Sequence, residues 1–293
     1  MTTRMTVCIL VSTIILTLMS CKRFYSLDDF LFEPEKIDEY LKPEDLAEWP
    51  EIRNIIPDSL IEPVTMTSMA NTIYGFFVWG SLDSDIDRQI TVLYCNGNSQ
   101  NINRYWMRVE YLWEMGFNVF IFDYQGYGKS EGSPSGKALF SDGRAALDYV
   151  LSRVDVDISR VVYYGYSLGS YVATYLAAEE RRPAGLILES APASISALLR
   201  DSGLLDLDGA YVAEADFNNE KRIADIDCPL LMMHGRDDDF VVFERHVPYI
   251  WNKAAEPKDS LWADGAVHDN VPETLGIKYY EKVIEFVEQY IMN

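Results

Sequence analysis

Basic residues are scarce in this chain. It has 25 lysines and arginines against 46 aspartates and glutamates in 293 residues, which gives a formal net charge of −21 at pH 7. Nucleic-acid binding relies on clustered Lys and Arg side chains that neutralise phosphates, so this balance argues against a nucleic-acid partner. It also argues against adsorption to an anionic membrane by charge alone. Such an excess of acidic residues is typical of a well-solvated surface.

Cysteine and histidine are scarce as well, with 4 and 3 residues in the whole chain. Four cysteines are too few for a fold held together by disulfide bonds. Neither the His-Glu-x-x-His nor the Cys-x-x-Cys pattern of a metal site occurs. We therefore predict no metal centre, and the chemistry inferred below requires no cofactor. Hydrophobic residues make up 48% and charged residues 24% of the chain, which excludes a disordered or collagen-like protein.

An apolar run from Val7 to Met19 opens the chain, and Arg4 is the only charged residue before Lys22. The run is too short to span a bilayer comfortably, which is typical of the apolar core of a signal peptide. The sequence Leu-Met-Ser-Cys that ends at Cys21 resembles a bacterial lipobox, in which a small residue precedes the cysteine that becomes lipidated and N-terminal. We therefore predict a signal peptide over residues 1–20 and a lipid anchor on Cys21.

A lipidated N-terminal cysteine predicts where the protein is found. It indicates an exported protein held at the membrane of the cell envelope through its lipid. By resemblance, Lys22 favours the outer membrane if the host has one, because an inner-membrane retention signal would carry Asp at that position. Two alternatives stand beside this interpretation, namely an uncleaved anchor helix and an ordinary signal peptide followed by a coincidental cysteine.

The rest of the chain divides into two parts. Residues 21–60 are acidic and punctuated by prolines, which predicts an N-terminal extension packed on the main domain of residues 61–293. In the main domain, strand-like apolar runs cover Ile73–Trp79, Ile90–Tyr94, Asn118–Phe122, Arg160–Tyr164, Gly185–Leu188, Leu230–His234 and Ser260–Ala263. Helical stretches between and after them cover Ile102–Met115, Gly136–Arg153, Leu168–Glu179 and Glu273–Ile291. This alternation predicts an α/β fold with a mostly parallel central sheet and helices on both faces, and an active site at the carboxyl ends of the strands.

A G-x-S-x-G sequence follows one of these predicted strands and precedes a predicted helix. It consists of Gly165, Ser167 and Gly169 with two intervening residues. A serine on such a strand-to-helix turn sits in strained backbone, and the small glycines leave room for it. The helix N-terminus then directs backbone N–H groups toward negative charge that develops in a reaction. We therefore predict Ser167 as a nucleophile.

A serine hydroxyl is a poor nucleophile without a base. His268 lies in a loop after the last predicted strand, where it can reach the serine, and we favour it as the base. His234 ends a strand and is expected to have a turn role, whereas His246 is expected to be a surface or packing residue in a helix. The carboxylate that orients the base is expected from the three consecutive aspartates of residues 237–239, one of which would turn inward. This gives the chain order Ser, Asp, His that the architecture favours.

The fourth predicted component is an oxyanion hole. Residues 94–98 follow a predicted strand, so their backbone lies at the same edge of the sheet as the serine. We assign one N–H donor to Asn98 and the other to Leu168, and Gly97 allows a close approach.

Six segments resemble motifs of one known family. They are VLYCNGNSQNINRYW, FDYQGYGKSEG, GYSLG, LESAPASI, CPLLMMHGRDDDFV and GAVHDN. Together they resemble the α/β-hydrolase superfamily over about residues 60–293, and within it the short-cap serine hydrolases that include depalmitoylating thioesterases and related lipid hydrolases. The resemblance implies that Asp238 is the acid of the triad and that a short cap at about residues 189–228 lines an acyl pocket. The sequence departs from the family at Asn96, where His is usual, and at Gln125, which replaces an Arg.

These residues and the resemblance together predict a function. Ser167, His268 and Asp238 would cleave a carboxylic ester or thioester in a small-molecule or acyl-ester substrate through an acyl-enzyme intermediate. Two alternatives are a peptidase on the same fold and a non-catalytic binding protein that retains the fold.

Overall fold

The computed structural model describes residues 24–26, 28–46, 49–81, 89–201, 210–212 and 215–292. The predicted signal peptide and Cys21 lie outside these described residues. Within them, no helix combines the length and the apolar character that crossing a membrane requires.

Strands and helices alternate along the described chain. In chain order the strands are β1 (Phe24–Ser26), β2 (Glu33–Pro34), β3 (Ile61–Ser68), β4 (Asn71–Val78), β5 (Thr91–Cys95), β6 (Ser99–Gln100), β7 (Asn118–Phe122), β8 (Val161–Tyr166), β9 (Gly185–Glu189), β10 (Ala210–Val212), β11 (Leu230–Gly235) and β12 (Lys258–Ala263). The α-helices are α1 (Asp28–Leu31), α2 (Trp106–Glu114), α3 (Gly136–Ser152), α4 (Gly169–Tyr175), α5 (Ile195–Asp201), α6 (Asn219–Arg222), α7 (Phe243–Trp251), α8 (Val271–Leu275) and α9 (Ile277–Tyr290). The 3₁₀-helix Ile102–Tyr105 precedes α2, and the π-helical turn Leu176–Glu180 follows α4.

One predicted helix is wrong as drawn from the sequence. The stretch predicted at Glu273–Ile291 is divided into α8 and α9 at Gly276. Gly276 has a φ of +53°, which lies outside the right-handed helical region and is accessible to glycine at little cost. The helical hydrogen-bond pattern therefore ends there and begins again at Ile277.

The central sheet confirms the predicted fold class. Its strand order is β12-β11-β9-β8-β5-β7-β4-β3, in which β3 and β4 are antiparallel to their neighbours and the other pairs are parallel. Because successive residues of a strand face opposite sides, each strand supplies two cores. In β7, Phe120 and Phe122 belong to one core, whereas Val119 and Ile121 belong to the other. Helices α3, α4 and α7 cover the first face of the sheet, and α2 and α9 cover the second.

Residues 28–46 and 49–56 form an N-terminal arm that lies across the sheet domain. Strand β2 of the arm pairs with β6, directly after β5. The Tyr40 hydroxyl donates to Asp123 Oδ2 at 2.7 Å. The Glu110 carboxylate of α2 accepts hydrogen bonds from the backbone N–H groups of Arg53 and Ile55 at 2.8 and 3.1 Å. The arm is therefore held by contacts that are distant in sequence.

The buried Asp123 carboxyl under the arm predicts a pH effect on stability. Burial raises the pKa of Asp123 to about 7, although the Tyr40 hydroxyl donates to it. An Asp in an unfolded chain has a pKa of about 3.9. Between these two values the folded chain retains a proton that the unfolded chain has lost, so the contribution of Asp123 to stability falls as the pH rises.

Asparagine at this position has no such proton to lose. We expect the free energy of unfolding of Asp123→Asn, relative to wild type, to increase between pH 4 and pH 8 by up to about 4 kcal/mol. Urea denaturation at a series of pH values measures this difference. The variant Asp148→Asn alters an exposed carboxyl on α3 and serves as the control, since it should follow wild type. If the free energies of unfolding of Asp123→Asn and wild type differed by the same amount at every pH, the raised pKa of Asp123 would be contradicted.

Candidate active site

Ser167 lies on a tight turn between β8 and α4. Its φ of +49° is in the left-handed region, which a residue with a side chain adopts only when the surroundings enforce it. Its backbone N–H donates to the carbonyl of Glu189 on the adjacent strand β9 at 3.0 Å. A Cβ on Gly165 would stand 2.5 Å from Ser170 Cα, and one on Gly169 would overlap the carbonyl oxygen of Cys95. The two glycines are thus required sterically, as the sequence pattern indicates.

The side chains of Ser167, His268 and Asp238 lie in one chain of hydrogen bonds. Ser167 Oγ–H donates to His268 Nε2 at 2.8 Å, and His268 Nδ1–H donates to Asp238 Oδ2 at 2.8 Å. This pattern fixes the tautomer in which Nε2 carries the free lone pair beside the serine. The imidazole can therefore accept the serine proton.

Asp238 is the one buried member of the aspartate run, with 3% exposure, whereas residues 237 and 239 are exposed. Its Oδ1 accepts from the N–H groups of Phe240 and Val241 at 3.0 and 2.8 Å. Burial alone would raise the pKa of Asp238. Hydrogen bonds from His234, His268 and the Val241 backbone outweigh burial and hold this pKa well below its usual range. The carboxylate therefore stays ionised beside the imidazole.

The other two histidines are both buried. His234 Nε2–H donates to Val241 O at 2.7 Å and lies 3.2 Å from Asp238 Oδ2. The sequence assigned His234 only a turn role and missed this second contact to the acid, although the spacing of four residues was a signal. His246 Nδ1 accepts from Ala193 N–H at 3.0 Å, and its Nε2 lies 3.0 Å from Asp201 Oδ2. His246 is thus a packing residue away from the serine.

The loop after β5 approaches the serine from the other side. Asn98 lines the same cavity as Ser167, and its Oδ1 accepts from the Glu33 N–H at 3.0 Å and from the Tyr127 hydroxyl at 3.1 Å. The Tyr124 hydroxyl donates to the carbonyl of Asn96 at 3.0 Å. The loop is therefore fixed by side chains from the segment after β7 and by the arm. The oxyanion role of the N–H groups of Asn98 and Leu168 stays a prediction.

The two departures from the family motifs have different outcomes. The side chain of Asn96 is fully buried, and its Oδ1 and Nδ2 have no hydrogen-bond partner within the described residues. Gln125 forms a complete set of contacts. Its Nε2 donates to Asp142 Oδ1 at 2.8 Å, and its Oε1 accepts from Asn71 Nδ2 at 2.6 Å. Burial raises the pKa of Asp142 to about 6, so a neutral amide suits this carboxyl.

A cavity of about 390 Å³ opens at Ser167 and His268. Its lining combines polar and apolar side chains and consists of Glu33, Asn98, Ser99, Arg104, Tyr105, Met107, Arg108, Tyr166, Ser167, Asp239, Phe240, Val267, His268 and Asp269. No described residue of the segment 189–228 lines it, so the predicted contribution of a cap to an acyl pocket is not seen in this part of the chain. Instead, Glu33 of the arm forms part of the wall.

Comparisons with known proteins show the family of this chain. A family model described as serine aminopeptidase, S33, matches residues 87–204. The α/β hydrolase domain-containing protein 17B of Xenopus tropicalis is 30% identical over 233 residues, which cover 78% of this chain and 76% of that protein. The chain belongs to the α/β-hydrolase superfamily. The uncharacterized protein YfhR of Escherichia coli strain K12 is likewise 30% identical to this hydrolase over 231 residues, covering 77% of this chain and 80% of the relative.

Solved structures of α/β hydrolases share the fold. The esterase Pf2001 of Pyrococcus furiosus superposes on this hydrolase with a TM-score of 0.70 at 18% identity, covering 89% of this chain and 98% of the esterase. XC6422 of Xanthomonas campestris, described as an α/β serine hydrolase without a lid, gives a TM-score of 0.59 at 20% identity, covering 81% and 98%. At these identities the likeness concerns the fold.

Proposed function

We propose that this α/β hydrolase is a serine hydrolase that cleaves a carboxylic ester or thioester through an acyl-enzyme intermediate. One observation carries the proposal, namely the chain of 2.8 Å hydrogen bonds from Ser167 through His268 to Asp238. A nucleophile, a base and a carboxylate in this arrangement activate a hydroxyl toward a carbonyl carbon. The left-handed backbone of Ser167 presents the hydroxyl at the cavity.

Each residue has a defined part in the reaction. Ser167 Oγ attacks the carbonyl carbon, and His268 Nε2 takes its proton. Asp238 stabilises the resulting imidazolium without taking the proton. The N–H groups of Asn98 and Leu168 bind the oxyanion, and each donor lowers the barrier by about 3–4 kcal/mol. His268 then gives the proton to the leaving group, and a water molecule hydrolyses the acyl-enzyme by the same steps.

A peptidase is the second candidate. The matched family model is described as a serine aminopeptidase, and the carboxylates of Glu33, Asp239 and Asp269 line the cavity, where they could receive a substrate ammonium group. A panel of p-nitrophenyl esters and aminoacyl nitroanilides separates the two. We expect turnover of the esters with a kcat/KM at least 100-fold above that of the anilides. A higher kcat/KM for the anilides than for the esters would favour the peptidase over the ester or thioester hydrolase.

The acyl group is addressed by a chain-length series. Esters and thioesters from acetyl to palmitoyl, assayed at equal enzyme concentration, give the profile of kcat/KM against chain length. Ser167→Ala in the same assays separates enzymatic turnover from spontaneous hydrolysis. The proposal would be contradicted if the wild-type protein hydrolysed every ester and thioester no faster than Ser167→Ala does.

We further propose that the protein is tethered to the membrane of the cell envelope through a lipid on Cys21. Support comes from the apolar segment and the lipobox-like sequence that precede this cysteine. We expect the wild-type protein to sediment with membranes and to incorporate labelled palmitate, and Cys21→Ser to incorporate no palmitate. Cys8→Ser is the matched control, because Cys8 lies in the segment that would be removed. Labelled Cys21→Ser protein in the membrane fraction would contradict the anchor.

A further inference from the structure

A buried arginine lies beside the triad, although none of the motifs includes it. Arg108 of α2 is only 5% exposed. Its Nη1 donates to Glu189 Oε1 at 2.6 Å, and its Nη2 donates to the backbone carbonyl of Asp269 at 2.9 Å. Its guanidinium carbon lies 3.8 Å from the ring centre of Tyr166. One side chain thus contacts the residue before the serine and the residue after the histidine.

The end of β9 completes this connection. The carbonyl of Glu189 accepts from the Ser167 N–H at 3.0 Å, while its side chain accepts from Arg108 and from the Tyr164 hydroxyl. The next residue, Ser190, donates from Oγ to the carbonyl of His268 at 2.8 Å. The serine turn and the histidine loop are therefore both attached to the same two residues.

We propose that Arg108, together with Glu189, is a positioning residue that holds the loop carrying His268 at hydrogen-bonding distance from Ser167. This inference rests on the proposed serine hydrolase function. The loop is exposed to solvent at residues 265 and 267 and follows an edge strand of the sheet. Ala266 O accepts from the Asp237 N–H at 3.0 Å before the histidine, and Arg108 holds the segment after the histidine through Asp269 O. A displacement of about 1 Å between reacting groups can lower a rate by about 100-fold, so restraint of this loop acts directly on the reaction.

The chemistry of the pair favours positioning over stability. Both charges are buried, with side-chain exposures of 5% and 0%. A buried ion pair seldom stabilises a protein relative to apolar residues of the same volume, because removing the charges from water is costly. The planar guanidinium can donate to Glu189 and to Asp269 O at once in a fixed geometry, which an ammonium group on a flexible stem cannot reproduce.

Four variants test the proposal against a purely structural role. Arg108→Met leaves Glu189 buried without its partner, so we expect both a lower melting temperature and a lower kcat. The double variant Arg108→Met/Glu189→Met has no buried charge left at this position, so its melting temperature should recover. Its kcat should not recover, because Asp269 O still lacks its donor. Arg108→Lys retains a positive charge opposite Glu189. Compared with Arg108→Met, its melting temperature should return toward that of wild type, whereas its kcat should stay low. Arg222→Met serves as the control, since Arg222 is a buried arginine paired with Glu179 away from the cavity.

The measured quantities are kcat, KM, the rate of fluorophosphonate labelling and the melting temperature. We expect kcat and the labelling rate of Arg108→Met and of the double variant to fall by about 10- to 100-fold, with KM within about threefold of wild type. Arg222→Met should lower the melting temperature and leave kcat unchanged. The inference is overturned if the double variant regains wild-type kcat, if KM alone changes, or if Arg222→Met lowers kcat equally. Failure of the wild-type protein to label would instead contradict the proposed function.

Discussion

Ser167→Ala is expected to abolish measurable turnover of every ester that the wild-type protein hydrolyses. The substitution removes the atom that attacks the carbonyl, while the N–H donors and the cavity remain. In enzymes with such a triad, loss of the nucleophile lowers kcat by about 10⁴- to 10⁶-fold. The remaining rate reflects binding and oxyanion stabilisation alone. The measurement is the initial rate with a p-nitrophenyl ester that wild type turns over.

Covalent labelling gives a second measurement of the same substitution. A fluorophosphonate should add to the wild-type chain at Ser167 with a stoichiometry of one, and not to Ser167→Ala, as read by intact mass. Ser159→Ala is a suitable control, because Ser159 lies in an exposed turn at the opposite ends of the strands, before β8. Labelling of Ser167→Ala at the wild-type level would exclude Ser167 as the nucleophile.

Asp238→Asn is expected to lower kcat by about 10³- to 10⁴-fold with little change in the fold. The backbone N–H groups of Phe240 and Val241 donate to Oδ1, so they hold the amide oxygen of the asparagine at that position. The amide NH₂ then occupies the place of Oδ2 and donates to His268 Nδ1. The proton of the imidazole is therefore forced onto Nε2. A protonated Nε2 can no longer accept the serine proton.

A steady-state assay and a thermal melt on the same preparation distinguish this tautomer effect from unfolding. We expect an unchanged KM and a melting temperature within a few degrees of wild type. Asp237→Asn alters the exposed neighbour and should retain wild-type kcat. Wild-type kcat in Asp238→Asn would remove Asp238 from the mechanism.

Much of the site could be predicted because its parts are local in sequence and ordered by topology. The apolar run Asn118–Phe122 is buried along its whole length and matches the predicted strand residue for residue. In a parallel sheet the carboxyl ends of such strands meet at one edge. Ser167, Asp238 and His268 each follow a strand, so their convergence follows from the fold. The choice among the three aspartates required the family motif, and the structure buries the one that the motif selects.

Other features could not be predicted because their cause is not local. Strand β3 contains Pro63, and its buried and exposed residues do not alternate regularly. An edge strand tolerates a proline because it pairs with a neighbour on one side only. The helical spacing places Arg108 among buried residues, but it does not identify the partner of its charge. Arg108 lies three residues after Tyr105 and four before Leu112, on the buried face of α2, but its partner Glu189 is 81 residues away. A buried charge is identified only when its counter-charge is placed.

The contacts of the N-terminal arm bear on how the protein acquires activity during synthesis. Glu33 leaves the ribosome early, but its partner Asn98 follows 65 residues later, and His268 follows Ser167 by 101 residues. Translation adds about 5–20 residues per second, so the nascent chain carries Ser167 without His268, its proposed base, for roughly 5–20 s. Under the proposed mechanism the serine hydroxyl is unactivated during that interval. A chain that stops before residue 268 would then be inert as a hydrolase, and activity would arise only once His268 is available to close the site.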